Sequence, residues 1–311
     1  MIPTRKQICS LLVQGRLTSQ IALANLAANI GIVITGGAVR LTGSGLGCPT
    51  WPKCTDESYH ATAELGINGA IEYGNRVLSM IVGAIAILTV IAVWRTPRRR
   101  LALAVLGGVL LQGLVGGLTV RYDLSPYFVG PHFLFSMVLI AMAYHLWRRT
   151  GPPPAHTEPK LRPLTRLVTV VSAAVLVIGV VVTGSGPHAG DAKAVRTGLD
   201  PEMVSQLHVD AVFLLLGLLI AFWFWARSSG THEAARAALI LLAIVLGQGL
   251  IGFVQYFTGL PEILVGAHLG GACAVWVATL GLWPVTAPAR AAPPDLPEAR
   301  SAQKLELTAP R

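Results

Sequence analysis

The chain has 311 residues, 53% of them hydrophobic and only 13% charged, with a formal net charge of +9 and a mean hydropathy of +0.61. A soluble domain carries roughly a quarter charged residues, so a water-soluble globular protein is excluded. Nucleic acid is not indicated either, because the basic residues lie in short loops between apolar runs.

A helix needs about 20 largely apolar residues to cross the hydrocarbon of a bilayer. Eight such runs follow one another, near residues 21–39, 72–94, 101–120, 129–147, 166–184, 205–226, 235–256 and 263–284. Each is too long and continuous for a barrel strand, so the expected fold class is an all-α membrane protein of eight transmembrane helices. The leading segment MIPTRKQICSLLVQGRLTSQ lacks an apolar core followed by a small-residue cleavage site, so no cleavable signal is expected. With both termini on one side of the membrane, that side holds 18 of the 24 Lys and Arg, and the other side holds 10 of the 15 acids. This positive-inside bias places the N- and C-termini in the cytoplasm. The partner for the bulk of the surface is then the lipid bilayer, not nucleic acid.

The chain repeats itself. LLQGLVGGLTV at 110–120 returns as LGQGLIGFVQY at 246–256, and VGPHF at 129–133 returns as VGAHL at 265–269, both offset by 136 residues. TGSG at 42–45 returns at 183–186. The reading is two duplicated four-helix bundles. An even number of spans in each makes them parallel repeats about an axis along the membrane normal. The expected domains are an N-terminal half (1–150), a proline-rich cytoplasmic linker (151–165), a C-terminal half (166–284) and a disordered cytoplasmic tail (285–311).

Histidines open the even spans near the outer surface: His132 the fourth, His208 the sixth and His268 the eighth. The repeat position in the second span, within IEYGNR, is Asn75. Four-helix bundles build ligand and metal sites from facing helices. Two neutral imidazoles on opposed helices, His208 and His268, suit a planar metallo-macrocycle with the iron between them. Glycines such as Gly113, Gly116, Gly249 and Gly252 would let a flat ring approach, or serve ordinary helix packing. Gln112 and Gln248 read as interhelical hydrogen-bonding residues. Glu72 and Asn75 are three apart and share a helix face.

GGAVRLTGSGLGCPTWPKC, IEYGNR, VGPHF, QLH and VGAHL together resemble the heme A synthase family of cytochrome oxidase assembly, over about residues 20–284. The resemblance implies an oxidoreductase of the bacterial cell membrane. It would oxidise the C8 methyl of heme O to a formyl group by successive hydroxylations, with heme b as cofactor. It further implies that His208 and His268 ligate heme b in the C-terminal half. His132 would be the axial ligand of the substrate heme in the N-terminal half, and Glu72 would match the family's glutamate. Heme O is the implied substrate, heme O synthase an implied partner, and the electron donor is unnamed. Asn75 departs from the family pattern, which has His at that position. One open face on the substrate heme suits oxygen or peroxide chemistry, whereas two strong ligands suit electron transfer. Arg76 and Arg40 would pair with heme propionates or anchor at headgroups. A desolvated Glu72 would move a proton at the heme methyl, or would only begin its helix and pair with Arg76.

Cys48 and Cys54 share the outer loop CPTWPKC and match the family's cysteine pair. In an oxidising compartment they are expected to form a disulfide, either a structural clip or a labile redox pair. Cys9 and Cys273 are expected to be inert. Two rival functions share many of these features: a quinol-linked b-type heme electron carrier, and a transporter.

Overall fold

The computed structural model describes residues 5–152 and 154–288, and of residues 5–14 the backbone alone. The helices are α1 (Arg5–Leu41), α2 (Gly66–Val93), α3 (Arg99–Arg121), α4 (Pro126–Arg148), α5 (Arg162–Ser185), α6 (Pro201–Ser228), α7 (His232–Phe257), α8 (Glu262–Leu280) and a single turn, α9 (Leu282–Val285). Among the described residues, eight helical segments are long and apolar enough to cross a membrane, and no strand occurs. Of the expected tail, residues 289–311 lie outside the described residues, as does the Cys9 side chain.

The apolar runs form helices because, away from water, every backbone N–H and C=O must be satisfied within its own segment. Large apolar side chains such as Ile87 and Ile91 on α2, Leu110 and Leu114 on α3, and Phe213 and Phe224 on α6 stand exposed on the protein surface. That is the composition of a lipid-facing belt. The hydropathy signal marks the outer helix starts late. α2, α4, α6 and α8 begin about two turns before Glu72, His132, His208 and His268, so these residues lie inside the helices and do not open them. The extra turns are nucleated by groups that hydropathy does not register. Pro126 and Pro201 stand in the first turns of α4 and α6, where a missing N–H is harmless, and the Asp200 carboxylate caps α6 by accepting from the Glu202 N–H at 3.0 Å.

Helices α1 to α4 pack in a ring in chain order with α4 closing on α1, and α5 to α8 do the same with α8 closing on α5. The two rings meet where α1 lies on α8, α4 on α5 and α4 on α8. Leu26 and Val33 of α1, Met137 and Ile140 of α4, and Cys273 of α8 form the buried centre of that seam. The Trp276 indole donates across it to the Met137 carbonyl at 2.9 Å. Close approach there depends on glycine. A Cβ at Gly37 of α1 would overlap the Leu269 side chain of α8, and one at Gly130 of α4 would lie 2.8 Å from Val180 of α5. Small residues at such contacts let helix backbones draw together. A second apolar core lies within the α5–α8 ring, around Phe222, Leu215, Leu219 and Leu241. The linker is tied down where the Glu158 N–H donates to the Val285 carbonyl at 2.9 Å.

Candidate functional site

In the second ring, His208 of α6 and His268 of α8 face one another with ring centroids 6.4 Å apart and planes inclined by 66°. Each imidazole lies against a glycine of the preceding helix. A Cβ at Gly179 of α5 would come within 3.1 Å of the His208 ring, and one at Gly252 of α7 within 3.3 Å of the His268 ring. The Nδ1 atoms of both rings are buried without a fully formed hydrogen bond. A neutral imidazole can offer a ring nitrogen to a metal.

The spacing fits one metal ion between the rings. Two imidazole–metal bonds of about 2 Å each, plus the reach from nitrogen to ring centre on each side, add to about 6 Å. Among the described residues no group of three His, Cys, Asp or Glu forms a metal site. Two imidazoles alone therefore suit an iron that brings its own equatorial ligands, as a heme does.

The first ring is built differently. His132 of α4 rests on Gly116 of α3, where a Cβ would lie 3.4 Å from its ring, and its Nδ1 is buried and unpartnered. Gln112 of α3 fixes this stretch of α4, donating to the His132 carbonyl at 2.9 Å and to the Ser136 hydroxyl at 2.5 Å. Its counterpart Gln248 instead packs against Gly271 of α8. On α2, the Asn75 carboxamide oxygen accepts from the Thr35 hydroxyl of α1 at 2.8 Å, and the neighbouring Gly36 leaves room for the amide.

Glu72 and Arg76 are joined with the cysteine loop. Cys48 and Cys54 form a disulfide. Glu72, only 6% exposed, accepts from the Cys48 N–H at 2.5 Å through one oxygen and pairs with Arg76 at 2.6 Å through the other. The Arg76 guanidinium also donates to the carbonyls of Cys48, Thr50 and Lys53. Its donors are therefore directed at the loop. Trp51 at the loop tip presses on Gly117 of α3, where any Cβ would overlap the indole. Arg40 lies elsewhere, donating across the seam to the Thr183 carbonyl at 2.9 Å.

The roles of Thr35, Trp51 and Gly117 escape a reading of the sequence. So does a buried polar clamp in which Asn29 donates to Asn25 and Asn25 to Thr89 of α2 at 3.0 Å. The clamp had a visible signal, since amides and hydroxyls inside an apolar span need partners.

Several known heme A synthases are similar in sequence to this chain over most of its length. The heme A synthase of Brucella ovis is 27% identical over 340 residues, covering 86% of this chain and 93% of that protein. Those of Rhizobium meliloti (26% over 321 residues, 84% and 87%) and Sinorhizobium fredii (25% over 318 residues, 83% and 86%) are similar to nearly the same extent. Residues 19–211 match the family described as cytochrome oxidase assembly protein. That span takes in α1 from residue 19, the cysteine loop, α2 to α5 and the part of α6 that carries His208, and the chain belongs to this family.

Proposed function

We propose that this protein is a heme A synthase of the bacterial plasma membrane, an oxidoreductase that converts heme O to heme A. In this reading its ring α5–α8 holds heme b between His208 and His268, and its ring α1–α4 holds heme O on His132. The two rings act as parallel repeats with both termini in the cytoplasm. The carrying observation is their asymmetry at one depth. One ring presents two imidazoles 6.4 Å apart, and the other presents His132 and an amide engaged by Thr35. A metal held by two imidazoles exchanges electrons without an open position, whereas a single imidazole leaves one face free for chemistry.

When bound, heme b supplies one-electron redox capacity. The chain does the rest. His208 and His268 hold their rings through the Gly179 and Gly252 contacts. His132 would hold the substrate, and the docked loop shields the outer mouth of the ring from water. Glu72 would hold or pass a proton at its carboxylate oxygens while two successive hydroxylations, whose oxidant and electron donor come from outside this chain, carry the methyl to a gem-diol that loses water to the formyl group. Arg76 keeps that carboxylate and the loop in one place.

The test is co-expression with a heme O synthase in a host that lacks heme A, followed by extraction and chromatography of the hemes. A formyl-bearing heme that requires this protein is the expected result. A b-type spectrum with no formyl heme would mark an electron carrier, and no heme spectrum at all would mark a transporter.

A further inference from the structure

We infer that Thr35 orients the Asn75 carboxamide so that its N–H groups, not its oxygen, face the first-ring site. Asn75 then acts as a hydrogen-bond donor on the open side of the substrate heme, and Thr35 is its positioning residue. The inference rests on the reading that this ring holds heme O on His132.

A carboxamide has an acceptor end and a donor end, and its neighbours decide which is free. A threonine inside a helix ordinarily returns its hydroxyl proton to its own helix. Thr89, Thr119, Thr169 and Thr279 do so here, at 2.6–2.8 Å. Thr35 does not: its own-helix contact, to the Ile32 carbonyl, is 3.3 Å, while its contact to the Asn75 oxygen is 2.8 Å. The proton therefore goes to Asn75 and occupies the oxygen. The amide nitrogen is left free, 4.0 Å from where a Gly36 side chain would begin. The second ring supports the same position from the preceding helix too, since the His208 ring lies against Gly179 of α5. The two positions thus share a means of support and differ in what they present. One offers a lone pair that binds iron. The other offers N–H groups that cannot bind iron but can polarise a small ligand on its open face.

The experiment uses the full-length protein, loaded anaerobically with heme O, reduced and exposed to carbon monoxide. Carbon monoxide takes an open iron position and not a bis-imidazole one, so it reports on the first ring alone. A facing N–H draws electron density onto its oxygen and lowers the C–O stretching frequency. The wild type and Thr35→Ser should share a low frequency, and Asn75→Leu and Thr35→Val should both shift it upward. The unchanged low-spin spectrum of heme b confirms that each variant is folded. An unshifted frequency in Asn75→Leu overturns the donor role, and an unshifted frequency in Thr35→Val alone overturns the positioning role. If His132→Ala still binds carbon monoxide-reactive heme O, or if the wild type binds none, the underlying placement of the substrate is wrong instead.

Discussion

The two rings of this protein use the same frame for opposite ends. In α5–α8 both faces of the site end in imidazoles seated on glycines, and the aromatic next to Gly252 is part of α7 itself, Phe253. In α1–α4 one imidazole is replaced by an amide. The residue at the Phe253 position is Gly117, and its notch is filled from outside by Trp51 of the disulfide-closed loop. A cofactor that stays can be enclosed by rigid helices. A substrate that must arrive and leave needs a wall that is not part of a helix. On the proposed reading, the two rings differ in two respects that suit different tasks: an amide in place of one imidazole, and a wall made by a loop.

Substitutions at seven residues break or sharpen this contrast. The largest effect is expected from His208→Ala or His268→Ala, which should abolish the low-spin heme b spectrum while the protein still inserts. A normal bis-imidazole spectrum in both variants would refute the pairing. Next comes Glu72→Gln. If the carboxylate carries a proton, heme A formation should fall by roughly a hundredfold or more with heme b intact, as measured by heme chromatography beside the optical spectrum. A purely structural role predicts near-normal yield, because a glutamine oxygen can still accept from the Cys48 N–H. Asn75→His should make the first ring resemble the second. Electron paramagnetic resonance should then show a second low-spin heme, and heme chromatography should show a changed turnover. The smallest effect belongs to the loop. Replacing Cys48 and Cys54 by Ser should cost about 2 kcal/mol in unfolding free energy, the value for so short a closed segment. Gly117→Phe should expel Trp51 and cost about 1–3 kcal/mol, as overpacking does. Both are measurable by thermal unfolding in detergent, and accelerated proteolysis within CPTWPKC would show that the loop has come loose.

Much of this was legible in the residues. Eight spans follow from hydropathy, because transfer into lipid is a strong, local and additive signal. The cysteine pair was legible from its compartment and closeness. What remained hidden depends on which side of each helix meets which neighbour. Hydropathy cannot rank the faces of a span that is apolar all round. Thr35 therefore looks like an ordinary threonine until α2 brings Asn75, forty residues away, within 2.8 Å. Arg76 looked equally suited to a propionate or a headgroup, and only the folded loop shows its guanidinium gathering three carbonyls. The helix starts were misread for a related reason. The first two turns of α4 and α6 owe their helicity to proline and capping geometry, which an average over apolar content does not detect.

Helix α1 serves as a party wall between two rooms. Gly36 looks into the first ring toward Asn75, and Gly37, the next residue, abuts Leu269, which directly follows His268. Successive residues on a helix are turned by about 100°, so neither room can be refitted without moving the partition for both. A one-residue insertion ahead of Gly36 should rotate both glycines out of place together. It should then appear in a mutant screen as loss of the pigment of the C-terminal half, although the lesion lies in the N-terminal one. The ligands of the two rooms can diverge, as Asn75 shows, but the wall between them holds their spacing in common.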